Sequence, residues 1–74
     1  MDLRENETIK LSDGNKYWIV KKLVVDGIDF YYTIKVDKSS EVVVLADRDG
    51  LEIVEDELVL NIVNKEFLRQ FNVN

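Results

Sequence analysis

The sequence predicts an α+β fold: a small antiparallel β-meander of four to five strands with a C-terminal helix packed on one face. Three observations predict it. Asp26-Gly27 separates two long runs rich in β-branched and aromatic residues, Lys16 to Val25 and Ile28 to Val36, and such a pair marks a two-residue hairpin whose turn needs positive φ at both positions. The polar clusters Ser12-Asp13-Gly14-Asn15 and Asp47-Arg48-Asp49-Gly50 cut the flanking sequence into further short β-prone segments. From Glu55 onward the apolar spacing becomes helical.

The central hairpin sets the register of everything else. With Asp26 and Gly27 as the loop, Val25 faces Ile28 and facing residue numbers sum to 53. One face then collects Tyr17, Ile19, Leu23 and Val25 with Ile28, Phe30, Tyr32, Ile34 and Val36, Lys21 being its only charge, which makes it a core face. The other collects Trp18, Val20, Lys22 and Val24 with Asp29, Tyr31, Thr33 and Lys35. Here Lys35 falls across from Trp18 and Lys22 across from Tyr31, so each ring has a cation for a neighbour.

Before the hairpin, Met1 to Asn6 lacks a regular apolar period and reads as a frayed end. Glu7 to Leu11 is the first strand. A three-residue loop after it places Ile9 and Leu11 beside Ile19 and Tyr17, whereas a two-residue loop moves them to the Trp18 and Val20 face; the sequence leaves both open. After the hairpin, Asp37-Lys38-Ser39-Ser40 is a polar turn into Glu41 to Ala46, whose consecutive aliphatics require cover on both faces. Leu51 to Val54 is a short fifth strand. Val43, Leu45 and Val54 are assigned to one side of the sheet, and Val42, Val44, Ala46, Leu51 and Ile53 to the other.

Glu55 to Phe71 reads as a helix with Asp56 as N-cap, acids in the first turn, and Val59, Leu60, Val63, Phe67 and Phe71 on one wide face. Glu57 to Val63 also has strand composition, in which case Asn64 caps a shorter helix. One helix covers only one face of a small sheet. The other must curl toward a barrel or present an apolar stripe including Trp18 and Val20 to a partner or a second copy.

Length and composition bound the function. The 74 residues form one domain, 1–74, with neither Cys nor His, so disulfides, Cys/His zinc sites, Cys nucleophiles and Ser/His pairs are all excluded. Gly14, Gly27 and Gly50 are isolated turn glycines in no phosphate-loop spacing. The turn at Asp47 to Gly50 lacks the alternate ligands and distant Glu of a calcium loop. We therefore expect no catalytic residue, no cofactor and no metal, and a protein that is not an enzyme. No apolar run approaches the roughly 20 residues needed to cross a bilayer, and the charged start is unlike a signal peptide, so a cytoplasmic location is expected.

Net charge is −5, and all of it lies in the second half. Residues 1–40 carry seven acids and seven bases, residues 41–74 eight acids and three bases. Asp47, Asp49, Glu52, Glu55, Asp56 and Glu57 form an acidic surface that repels phosphate, so nucleic acid and anionic membranes are disfavoured partners. Trp18, Val20, Lys22, Tyr31 and Lys35 form the candidate protein-binding stripe.

The run Ile9 to Gly14, the Val24 to Tyr32 hairpin, Glu41 to Leu45, and Leu51 to Leu58 with its Val-Glu-Asp-Glu resemble a group of small acidic bacterial proteins of unknown function, common in low-GC Gram-positive genomes and their phages and mobile elements. This chain departs from them in being less acidic than many and in the apolar stretch Leu58 to Val63. The resemblance implies a meander followed by a C-terminal helix, and it carries over no catalytic residue. The expected function is a non-enzymatic interaction or accessory protein that binds another protein, with a homodimer as one form of partner. The alternative is an acidic mimic of nucleic acid that inhibits a basic protein, of phage or mobile-element origin.

Overall fold

Both turn residues of the central hairpin take the left-handed conformation, Asp26 at φ 52° and Gly27 at φ 76°, as a two-residue primed turn requires. The computed structural model describes residues 3–37 and 41–71. Five strands, β1 (Thr8–Lys10), β2 (Lys16–Val25), β3 (Ile28–Lys35), β4 (Val42–Asp47) and β5 (Leu51–Ile53), form one curled antiparallel sheet in sequence order. The helix α1 (Glu57–Phe71) packs on one side of it. The Lys38 to Ser40 part of the expected polar turn lies outside the described residues.

The helix, rather than a sixth strand, forms over Glu57 to Val63. Asp56 caps it, its Oδ1 accepting the N–H of Leu58 at 2.8 Å and of Val59 at 3.4 Å, which satisfies two of the orphan donors of the first turn. Val63 is fully buried, and Val59, Leu60 and Phe67 pack beside it against Leu23, Phe30, Tyr32, Val44, Ala46 and Val54. The rings of Phe67 and Tyr32 lie 4.2 Å apart at 38°. At about 25 cal/mol per Å2, burial of this stripe is what holds the helix on the sheet.

The register contains one feature that regular alternation does not predict. Pairs from Val25↔Ile28 to Lys21↔Tyr32 keep the expected sum of 53, but Ile19 pairs with Thr33 and Trp18 with Ile34, so Val20 is an extra residue, a β-bulge. Inserting one residue exchanges the faces of everything beyond it. Tyr17 and Ile19 therefore leave the side of Leu23 and join Tyr31 and Thr33, while Trp18 moves to the side of Ile34 and Tyr32. The single core face expected for the hairpin is thus divided between two cores. Lys35 faces Tyr17, not Trp18; Lys22 does face Tyr31, its Nζ 5.9 Å from the ring centre.

The second core contains Ile19, Tyr31, Leu45 and Leu3, ringed by Ile9, Leu11, Val43 and Leu51. Its assignments correct two expectations. Leu51 and Ile53 share the side of Leu45, because Leu45 pairs with Ile53 and Asp47 with Leu51, whereas Val54 bonds to Val44 and joins the helix side. Residues 3–6 are not frayed: Leu3 is buried, Asn6 N–H donates to the Ile19 carbonyl at 2.7 Å, and Glu5 accepts the Lys22 N–H at 3.3 Å and pairs with Lys21 at 3.2 Å. The segment plugs the face that the helix leaves open.

In the first hairpin Ile9 pairs with Tyr17 and Leu11 N–H bonds the Asn15 carbonyl, so the loop has three residues, Ser12 to Gly14, and Ile9 lies on the Tyr17 side.

Candidate functional site

The stripe expected from sequence does not stay together. Tyr31 is fully buried, its hydroxyl 3.5 Å from the Leu3 N–H, and so leaves the surface; a ring at the centre of a packed core offers a partner nothing. Lys22, on that ring, also pairs with Asp29 at 3.7 Å, and Lys35 pairs with Asp37 at 3.4 Å, which holds its ammonium above the ordinary lysine value. Trp18 lies on the opposite side of the sheet, 39% exposed, in a row with Ile34 and the 60% exposed Val42. Val20 is the bulge residue between these groups.

The acids also have separate duties. Asp56 caps the helix, Glu52 pairs with Arg48 at 3.7 Å, and Asp47 stands opposite Asp29 at the end of β4. Asp49 takes φ 54° beside Gly50, which makes Asp47 to Gly50 a turn. Glu55 and Glu57 flank the cap and have no ion-pair partner among the described residues.

A different site is assembled where the curled sheet brings its two edges toward each other. Ile9, Lys10, Leu11, Ser12 and Asp13 line one wall of a cleft of about 650 Å3, and Leu51, Glu52 and Ile53 line the other. Its floor is the second core, since Ile9, Leu11 and Leu51 pack on Ile19, Tyr31 and Leu45. The backbone pattern identifies what faces the gap. Ile19 N–H donates to Glu7 at 2.8 Å and Leu11 N–H to Asn15 at 3.0 Å, so Glu7, Ile9 and Leu11 turn their peptide groups toward β2 and Thr8 and Lys10 turn theirs outward. Val54 N–H donates to Val44 at 2.8 Å, so Glu52 bonds toward β4 and Leu51 and Ile53 turn outward. Each wall is therefore an open strand edge with apolar side chains at its foot.

The rim is fixed by Asp13. Its Oδ1 accepts the Asn15 N–H at 2.8 Å and its Oδ2 the Tyr17 hydroxyl at 2.7 Å. These bonds favour the ionised form and hold the Asp13 carboxyl below its usual range; the same contact, with burial, raises the Tyr17 phenol. Lys10 and Glu52 stand on opposite rims without pairing to each other.

Of the cleft residues only Glu52 was a candidate from sequence, as a member of the acidic surface. Ile9 with Leu11, and Leu51 with Ile53, did show the apolar spacing of one strand face. What brings the two pairs together is the curl, to which the bulge at Val20 contributes, and no turn signal announces that bulge. Among the described residues no helix is long and apolar enough to cross a membrane. Compared with protein-family models, with curated proteins and with solved structures, the chain finds no match.

Proposed function

We propose that this chain is a protein-binding module that takes an extended segment of a partner along the open seam between β1 and β5. The observation that carries the reading is the pair of outward-facing strand edges set above an apolar floor. An extended backbone satisfies such an edge, and side chains at alternate positions enter the floor beside Ile9, Leu11, Leu51 and Ile53. A helix or a small polar ligand leaves these peptide groups unmatched. Binding rather than catalysis also agrees with a sequence that offers no imidazole and no thiol.

The test is affinity capture from host lysate with edge-blocked variants as controls. Lys10→Pro and Ile53→Pro each remove one outward N–H and leave the inner ladder intact, a substitution that edge strands tolerate. Proteins retained by the unaltered chain should be lost by both variants, and circular dichroism should report an unchanged fold. Trp18→Ser should retain them. Retention unaffected by the prolines refutes the seam. Loss on Glu55→Gln/Glu57→Gln, together with steep salt sensitivity, replaces it with the acidic-mimic reading.

A further inference from the structure

The helix carries a second apolar face that the fold does not use. Leu58, Ile62 and Leu68 are 74%, 55% and 62% exposed, on the side opposite Val59, Leu60, Val63 and Phe67. An exposed helix face gains nothing from three large aliphatics unless something covers them. Of the charges around them, Glu55 and Glu57 lie at the amino end, and Lys65 and Arg69, with Glu66 between them, at the carboxyl end. None of Glu55, Glu57 and Lys65 has an ion-pair partner among the described residues; Arg69 is bound by Glu66 one turn earlier.

We infer that this face pairs with the same face of a second copy, the two helices running antiparallel about a two-fold axis near Ile62. The charge pattern selects both occupant and direction. At 100° per residue, Leu58, Ile62, Lys65 and Arg69 form one stripe, with Glu57 and Leu68 on the Lys65 flank and Glu66 on the other. A two-fold axis between residues 61 and 62 sets Glu57 of one helix within one residue of the level of Lys65 of the other, on the same flank. Ile62 then packs against its own counterpart, and the methylenes of Lys65 cover Leu58. Helix dipoles oppose favourably. A parallel pair instead stacks acids on acids and bases on bases. A single helix face about 22 Å long is a small interface, so the dimer is weak and concentration-dependent. It is independent of the seam, which lies on the other side of the sheet, so either surface can fail without the other.

Sedimentation velocity on the full chain, from low micromolar concentration to about 1 mM, tests the pairing. A reversible monomer–dimer equilibrium is expected. Ile62→Glu or Leu68→Glu should weaken it about tenfold or more, with helicity unchanged because both side chains are exposed. Lys65→Glu should weaken it severalfold, and Glu57→Lys/Lys65→Glu should recover most of that loss, since a two-fold pair restores opposite charges across the interface. A strict monomer at the highest concentration overturns the inference. So does a dimer indifferent to Ile62→Glu, or one in which the charge-swapped double variant is no tighter than Lys65→Glu.

Discussion

The two sides of this sheet solve the same problem with different means. On one, a continuous rod of helix lays Val59, Leu60, Val63 and Phe67 across the strands and seals Leu23, Phe30, Val44 and Ala46. On the other, a short segment inserts Leu3, and the edge strands lean in with Ile9, Leu11 and Leu51. The lid covers a width of several strands, whereas the plug covers a point. The cleft at the edges is what the plugged side leaves open; our proposals put an extended partner there and a second helix on the lid.

The sharpest way to break this division is to delete Val20. Removing the bulge residue restores the uniform hairpin register and turns Tyr17 and Ile19 away from the second core. Burying a large apolar side chain is worth about 1.5–3 kcal/mol, and two of them represent much of the roughly 5–15 kcal/mol that holds a small domain. Cooperative unfolding should be lost, with far-ultraviolet circular dichroism showing a partly folded chain. A deletion variant that unfolds at the parent midpoint would show that the two cores are interchangeable.

Single truncations measure the two cores separately. Leu23→Ala on the lidded side and Leu45→Ala on the plugged side remove side chains of near-zero exposure, and each should cost about 2–5 kcal/mol by urea denaturation. Leu3→Ala should cost less, about 2 kcal/mol, because a chain segment can settle into the space it leaves. Its larger effect should be local, with faster amide exchange at Ile19 and Leu45 than at Phe30 and Val44. Equal acceleration on both sides would mean that the plug supports the whole sheet. Asp56→Ala, which removes the cap of the lid, should cost about 1 kcal/mol and no more.

How much of this was legible in the sequence depends on the range of the interaction concerned. The Asp26-Gly27 turn, the capping by Asp56 and the apolar stripe of Val59, Leu60, Val63 and Phe67 are local signals, and the meander and helix follow from them. The bulge at Val20 is not local. It is selected because it places Ile19 and Leu23 in different cores, a choice made by the rest of the sheet, and the same sequence in a regular ladder gives the single face first read from it. Tyr31 was misplaced for a related reason: in a regular hairpin it shares a surface with Trp18, whereas here Leu3 arrives over it from the chain start. The cleft between β1 and β5 depends on both events, and so the site was the least legible part of the molecule.

The smallest predicted difference between the two sides is their response to acid. On the plugged side two carboxylates act as acceptors for backbone N–H groups, Asp13 from Asn15 and then the Tyr17 hydroxyl, and Glu5 from Lys22 and then Lys21, and both titrate below their ordinary values in the folded chain. In the unfolded chain they take up protons near pH 4, roughly the model-peptide range. Between the two pKa values the unfolded state binds more protons, so stability falls as pH is lowered through that window and the full contribution is present above it. Urea midpoints measured from about pH 6 down to about pH 3 should decline, and Asp13→Asn with Glu5→Gln should flatten the decline while lowering the plateau. Both acids are exposed, so the change should be small and reduced by salt. In the parent chain exchange at Ile19 should accelerate across the same interval before exchange at Phe30 does, because the groups being protonated hold the plug and the rim rather than the lid. Simultaneous acceleration at both would show that acid acts on the sheet as a unit.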